Sequence, residues 1–178
     1  PVLGEYPLLD NHESWQALQA AKKAYDAGNG LWPQMPVSER LNHLQQFVQS
    51  IKPLKEIFSL LEMWEIGKSY LDCRDEFDRT IKYIGDTIDN LMLLEEEGDL
   101  INRVDKYIFQ VRRRPLGVCL CMGPFNSPLN ETFAMLIPAL IMGNTAIVKL
   151  PRYGSLCTLP LLEAFARSFP PEIGRAHV

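Results

Sequence analysis

Apolar positions recur at helical intervals through the first ninety or so residues, and from about residue 106 the period shortens to that of strands. Leu18, Ala21 and Tyr25 predict a short helix that Gly28-Asn29-Gly30 ends. Ser38 is the expected cap of the next helix, since a serine hydroxyl can accept from an orphan amide one turn on. There Leu41, Leu44, Phe47, Val48 and Ile51 form one apolar set, and Leu54, Ile57, Phe58, Leu61 and Trp64 form a second. Pro53 should kink or split the two. Phe77, Ile81, Ile84, Ile88 and Leu91 predict a helix of about twenty residues, ended by the charged run Glu95-Glu96-Glu97-Gly98-Asp99.

Residues 106–114 alternate as a strand does, with Tyr107, Phe109 and Val111 on one side and Pro115 as the stop. The unbroken apolar run 116–122 has the pattern of a strand buried on both faces, as in a parallel sheet. Gly123-Pro124-Phe125-Asn126 is then a turn, Ser127-Pro128 begins a helix, and Gly143-Asn144 stops it. A second buried strand is expected over 145–150 and another helix over 156–169. This strand–helix–strand–helix order defines a βαβα unit with a right-handed crossover.

Composition sets bounds on what such a chain does. A hydrophobic fraction of 47% with 22% charged residues belongs to a folded domain rather than a disordered one. The net charge of −4 and pI near 5.4 argue against nucleic acid or an anionic membrane as the main partner. The most apolar run, 133–143, is too short to span a bilayer and contains Pro138. Four cysteines in this setting read as reduced thiols, which points to a cytoplasmic protein. Both ends read as cut: the first residue is Pro1, and 172–178 lack periodicity and are taken as a non-native tail.

In open α/β sheets, ligands bind beyond the carboxyl ends of the strands. The first buried strand delivers Gly123, Pro124, Phe125 and Asn126 there, ahead of a helix start, and the second delivers Lys149 and Arg152. A rim with an amide side chain, free helix-start N–H groups and two cations suits an anionic ligand or a developing oxyanion. The same residues could equally close a turn and lie in solvent. Neither of the common glycine-rich phosphate loops occurs. Cys119 and Cys121 face the same way on a strand, where core packing is a better account than metal binding. Cys73, Cys157 and the three histidines (His12, His43, His177) form no catalytic or metal pattern.

The stretch RRRPLGVCLCMGPFNSPLNETFAMLIPALIMGNTAIVKLPRYG, residues 112–154, resembles the amino-terminal half of an aldehyde dehydrogenase. The R-x-P-L-G-V entry, the P-F-N-x-P turn and the P-A-L-x-x-G-N-T…V-x-K run carry the likeness. GPFN-x-PLNETF and Glu76-Phe77-Asp78-Arg79-Thr80 are most similar to the non-phosphorylating, NADP-dependent glyceraldehyde-3-phosphate dehydrogenases. The resemblance covers roughly residues 10 to 170.

It implies an α/β fold: the three-layer αβα cofactor-binding domain of the family, Rossmann-like and incomplete, with amino-terminal helices. The helical part would run over 1–104, an oligomerisation-type strand over 105–115, and the βαβα unit over 116–171. Asn126 matches the catalytic oxyanion-hole asparagine. Gly123, Pro124, Phe125, Lys149 and Arg152 fall on the cofactor side, Lys149 at the position that holds the adenosine ribose. Arg152 stands where NAD-preferring members carry a glutamate, so NADP is the expected cofactor, with NAD the other possibility. Arg79 matches the arginine that grips the substrate phosphate. On its helix Arg79 lies about 200° from Phe77, off the apolar stripe, where it could instead pair with Asp75 one turn back.

The expected activity is oxidation of glyceraldehyde 3-phosphate to 3-phosphoglycerate through a cysteine thiohemiacetal and thioester. The nucleophile, general base and nicotinamide loop of the family are not matched in this chain, which is expected to be inactive alone. Ser127 replaces the usual tyrosine beside the substrate, and Leu150 replaces a proline after Lys149. The alternatives are a general NAD(P) aldehyde dehydrogenase with a non-phosphorylated substrate, or a non-catalytic nucleotide-binding module. Expected partners are a small aldehyde and, for the full-length protein, further copies of itself, with no nucleic acid and no membrane.

Overall fold

The computed structural model describes residues 2–96, 101–110 and 112–171. Helix α1 (Asn11–Tyr25) opens on a capping box in which Asp10 and Glu13 each accept the other's backbone N–H, satisfying two orphan donors. A short helix, α2 (Leu31–Gln34), follows the glycine cluster and buries Trp32. Helix α3 (Val37–Ile51) starts one residue before Ser38, with Pro36 at the cap and no side-chain cap bond. Ser38 therefore lies inside the first turn and does not cap it; the Pro36 carbonyl takes the Glu39 and Arg40 amides, both at 3.1 Å. A 3-10 turn over Lys52–Leu54 carries Pro53 and separates α3 from α4 (Lys55–Ile66), as the proline predicts.

The buried face of α4 differs from the expected stripe. Ile57 and Trp64 are exposed, whereas Phe58, Ser59 and Glu62 are buried. The helix is turned so that this partly polar face meets α5 and the turn before α7, where Lys68 compensates the buried acid. Helix α5 (Tyr70–Glu96) is 27 residues long and buries Phe77, Ile84, Ile88 and Leu91, with Ile81 packed against the core. The later part of the charged run, 97–99, lies outside the described residues.

Two short antiparallel strands follow, β1 (Ile101–Val104) and β2 (Tyr107–Gln110), with Val104 opposite Tyr107 across a two-residue turn. The strand expected over 106–114 is thus half as long, and its partner strand was not legible in the pattern. Asp105 in the turn has φ +54°, a left-handed conformation that aspartate tolerates better than most residues. Tyr107, Ile108 and Phe109 are all exposed; Val111 lies outside the described residues.

Strands β3 (Val118–Met122) and β4 (Thr145–Lys149) pair in parallel, Val118 opposite Thr145 and Met122 opposite Lys149, and helix α6 (Asn130–Ile141) joins them. The expectation of a strand buried on both faces fails at β3. Cys121 is buried against α6, but Leu120 and Met122 are 59% and 54% exposed. Successive side chains of a strand point to opposite faces, and Leu120 and Met122 lie on the face of β3 that is not packed. Helix α6 starts two residues beyond Pro128, which lies in the preceding turn with its carbonyl accepting from the Thr132 hydroxyl at 2.5 Å. A 3-10 turn (Leu156–Thr158) and α7 (Leu159–Ser168) complete the βαβα order. Residues 172–178, read as a tail, lie outside the described residues.

The core gathers where α3, α6 and α7 meet. Phe47 lies 4.2 Å from the Phe165 ring centroid, and Phe133 and Phe169 pack around both. Beside the aromatic cluster the carboxyl end of α6 is held by side chains. Trp32 Nε1 donates to the Leu140 carbonyl at 2.9 Å and the buried Arg40 Nε donates to the Ile141 carbonyl at 2.7 Å. The Leu140 carbonyl also accepts the Gly143 amide at 2.9 Å, and a cation suits that end of the dipole. Asn144 then ties the end of α6 to the start of β3. Its Nδ2 donates to the Ala139 carbonyl, and its Oδ1 accepts the Leu116 and Gly117 amides at 2.6 and 2.9 Å. Among the described residues, no helix is long and apolar enough to cross a membrane.

Pro138 sits inside α6 and cannot donate to the Ala134 carbonyl one turn back. Tyr83 on α5 fills that role, its hydroxyl donating to Ala134 at 3.1 Å. Tyr83→Phe should therefore lower stability by about 1 kcal/mol, measured by urea unfolding. The loss should shrink when Pro138→Ala restores the helical donor; an undiminished loss would show that the proline is not what makes the tyrosine matter.

Candidate functional site

The parallel register decides where the loops emerge. Met122 and Lys149 are opposite one another, so the turn 123–127 and the loop 150–155 leave the sheet side by side at its carboxyl edge. The two segments are in contact: a side chain at Gly154 would come within 3.0 Å of Pro128 and 3.3 Å of the Phe125 carbonyl. Gly154 has φ +90°, which removes the choice of most other residues. Gly123 is tighter still, since a Cβ there would lie 2.0 Å from the Thr132 hydroxyl. The turn is thereby drawn down onto α6.

The predicted site residues divide into a rim and a flank. Asn126, Lys149 and Arg152 are all exposed on the rim, with Pro124 and Phe125 exposed beside Asn126 and Ser127 half-buried. Arg152 lies 5.5 Å from the centroid of the Tyr153 ring, and its carbonyl accepts from the Tyr6 hydroxyl at 2.6 Å. Arg79 lies on α5, exposed, three residues after Glu76 and one before Thr80. Those two neighbours both face the start of α6: Glu76 accepts its first amides, and Thr80 Oγ1 lies 3.4 Å from Asn130 Oδ1. Arg79 thus borders the Asn126 turn through its helix rather than by a direct contact. The helical neighbour Asp75 is exposed as well, and no ion pair joins it to Arg79 among the described residues.

Two carboxylates that the sequence pattern did not single out hold both loops. Glu76 Oε1 accepts the Leu129 and Asn130 amides, each at 3.0 Å. Glu65 accepts the Ser155 amide at 3.0 Å and the Leu156 amide at 2.9 Å, with Cys157 at 3.4 Å. Each carboxylate sits where successive backbone N–H groups open a helix or 3-10 turn, and a negative charge is stabilised there. One signal was available in the sequence: Glu76 is in phase with Phe77, Thr80 and Ile84, so an acid occupies the buried face of its helix.

A small charged cluster lies beneath the Asn126 turn. Lys68 Nζ donates to Glu76, to Glu62 Oε1 at 3.1 Å and to the Asn126 carbonyl at 3.4 Å. Both carboxylates are fully buried. Burial alone would raise the Glu76 carboxyl, but hydrogen bonds from Lys68, Glu62 and the Asn130 amide outweigh it and hold Glu76 below the ordinary value. Burial, then Glu76, push Glu62 the other way, up to about 7. Burial disfavours the Lys68 ammonium, yet its two carboxylate partners raise it overall.

Three of the four cysteines are poor nucleophiles. Burial and then Glu62 push Cys73 up to about 12, and burial pushes Cys121 up to about 11. Cys157 is pushed upward by burial and by Glu62 and Glu65. All four thiols are unpaired, and no metal-binding group of three or more side chains occurs among the described residues.

The aldehyde dehydrogenase family model matches residues 1–174, and the chain belongs to that family. The NADP-dependent glyceraldehyde-3-phosphate dehydrogenase of Streptococcus equinus is 32% identical over 170 residues, 93% of this chain and 35% of the relative. Malonate-semialdehyde dehydrogenase 2 of Shouchella clausii (strain KSM-K16) is 30% identical over 155 residues, 84% of this chain and 30% of the relative. The crystal structure of NADP-dependent glyceraldehyde-3-phosphate dehydrogenase from Bacillus halodurans C-125, complexed with NADP, is 32% identical. It superposes with a TM-score of 0.83 over 95% of this chain and 36% of that one. The fold is therefore aldehyde-dehydrogenase-like, an α/β fold with amino-terminal helices, and the chain spans about a third of the length of these relatives.

The Glu62 shift has a definite sign. A carboxyl whose folded value lies near 7 against an ordinary 4.5 keeps its proton in the fold while the unfolded chain has lost it. Its contribution is fully present below about pH 4.5 and is lost as pH rises through about 7. The urea midpoint should fall from pH 5 to pH 8, and Glu62→Gln should remove that fall. An equal fall in both proteins would assign the proton to another group.

Proposed function

We propose that this chain supplies the cofactor-binding rim and the oxyanion donor of an NADP-dependent aldehyde dehydrogenase that oxidises glyceraldehyde 3-phosphate to 3-phosphoglycerate. The observation that carries this reading is the register of Met122 against Lys149, which sets the Asn126 turn beside Lys149 and Arg152. The rim suits a dinucleotide. Lys149 and Arg152 are exposed cations with no carboxylate partner among the described residues, and Gly123 lets the backbone turn tightly beneath them. Lys149 would hold ribose hydroxyls and Arg152 a 2′-phosphate, with Gly123, Pro124 and Phe125 alongside. When bound, the dinucleotide supplies the hydride acceptor.

Asn126 contributes the electrostatic part. Its exposed amide donates toward the aldehyde oxygen as a thiolate adds to the carbonyl carbon and negative charge develops on that oxygen. Loss of one such donor typically costs about 10²–10³ in turnover. The thiolate comes from outside this chain's four cysteines, three of which are held in the neutral form by burial.

Arg79 and Ser127 form the substrate side of the proposal. A guanidinium without an ion-pair partner can take a phosphate or a carboxylate in bidentate fashion. Ser127, in place of a bulkier tyrosine, favours a second reading, in which the aldehyde is not phosphorylated; the similar identity to a malonate-semialdehyde dehydrogenase supports it. The exposed Tyr107, Ile108 and Phe109 support the hairpin as a subunit-joining element, distinct from the helical part before it and the βαβα unit from 116 onward. A reducing, cytoplasmic setting accords with the four unpaired thiols.

Two experiments test the reading. Isothermal titration of this chain should give tighter binding of NADP than of NAD, and Arg152→Glu should reverse the order; unchanged selectivity would remove Arg152 from the cofactor. A polypeptide that also carries the nucleophilic cysteine should form NADPH with glyceraldehyde 3-phosphate. Arg79→Ala should then raise KM at least tenfold, on the order expected for one charged hydrogen bond. Equal rates with and without the phosphate would favour the second reading.

A further inference from the structure

The cluster formed by Lys68, Glu62 and Glu76 has no part in the chemistry proposed above, although it touches the turn that carries Asn126. Asn126 itself makes no side-chain hydrogen bond among the described residues, so only its backbone aims its amide. That backbone is held at two places. Its own carbonyl accepts from Lys68 Nζ at 3.4 Å, and the Leu129 and Asn130 amides that follow are taken by Glu76 Oε1 at 3.0 Å. Lys68 also donates to Glu76, which joins the two holds. The three N–H donors of its ammonium thus meet three acceptors: Glu76, Glu62 and the Asn126 carbonyl.

We propose that Lys68 and Glu76 are positioning residues for Asn126, and that the proton on Glu62 sets how firmly they hold its turn. The consequence for catalysis rests on Asn126 being the oxyanion donor; the hold on the turn does not.

With Glu62 protonated, the buried cluster balances one carboxylate against one ammonium, and Glu62 can donate to Glu76. With Glu62 ionised, two carboxylates share one ammonium in a water-poor site, and Lys68 is drawn toward Glu62 and away from the peptide oxygen. Burial and then Glu76 keep the proton on Glu62, and Lys68 opposes them. The groups around Glu62 are Lys68 from the loop after α4, Glu76 and Cys73 from α5, and Cys157 from the turn before α7; Glu65 lies one turn on along its own helix. Among these, Lys68 is the one cation. Glu62 Oε2 is buried and accepts no hydrogen bond among the described residues, so it is the oxygen free to carry the proton that Glu62 shares with Glu76.

Amide hydrogen exchange on the ¹⁵N-labelled chain tests this directly, read as protection factors so that the intrinsic pH dependence of exchange is removed. Lys68→Met should lower protection at Leu129 and Asn130 about tenfold while Leu44 and Phe47 in α3 change by less than about twofold, and Lys68→Arg should restore it. In the unsubstituted chain, protection at Leu129 and Asn130 should fall between pH 6 and pH 8, and in Glu62→Gln it should not. Should Lys68→Met fail to fold, the comparison with Glu62→Gln decides. Unchanged protection at the turn, an equal loss in α3, or the same pH profile in Glu62→Gln would each overturn the proposal. Failure of the dehydrogenase reading would show in cofactor binding and leave these amides as they are.

Discussion

The architecture depends on two carboxylates of the helical part accepting backbone amides from the βαβα unit. Glu76 takes the first N–H groups of α6, and Glu65 takes those of the turn before α7. A strand-to-helix loop ordinarily leaves such donors to water or ligand. Here they are claimed from the side by residues more than fifty positions earlier in the chain. The helices before the sheet therefore fix the geometry of both loops at the carboxyl edge. Breaking the Glu76 tie would leave a buried charge and its amides unsatisfied, and breaking the Glu65 tie would leave the buried Ser155 and Leu156 without an amide partner.

This arrangement sorts the charges. The acids nearest the turn are buried and spent on amides and on Lys68, while Lys149 and Arg152 stand on the rim without carboxylate partners among the described residues. The chain carries a net charge of −4, yet the edge where the loops meet presents cations and an uncommitted amide. Local field rather than net charge decides what such an edge attracts. Lys68 and Lys149 make the contrast clear: the same side chain serves as internal bracing in one place and faces solvent in the other.

Much of this was legible in the sequence, because apolar periodicity reports burial. The stripe from Phe77 to Leu91, the split at Pro53, the parallel pair of strands and the helix between them follow from spacing and from proline and glycine chemistry. Two of the readings that failed did so where polar atoms do the packing. Trp64 was assigned to a core face that Ser59 and Glu62 occupy, and Ser38 was assigned a cap that Pro36 takes with its carbonyl. Strand β1 went unseen because a four-residue strand leaves too short a pattern to stand out from the loops beside it. The rim residues could be placed from the crevice rule, but the ties beneath them join distant parts of the chain and have no period.

The cysteines complete the logic of the site. Burial drives Cys73, Cys121 and Cys157 toward the neutral thiol, with acidic neighbours adding to it at Cys73 and Cys157, so these side chains behave as small core residues. Cys121 does so while lying one residue before Met122, whose partner Lys149 begins the rim. The packed face of β3 is too apolar to activate the Cys121 thiol. The framework that holds the Asn126 turn is therefore unsuited to generating a thiolate, and in the reaction proposed above the two tasks would fall to different surroundings: an amide-bonded turn for the oxyanion, and a more polar or cationic setting for the nucleophile.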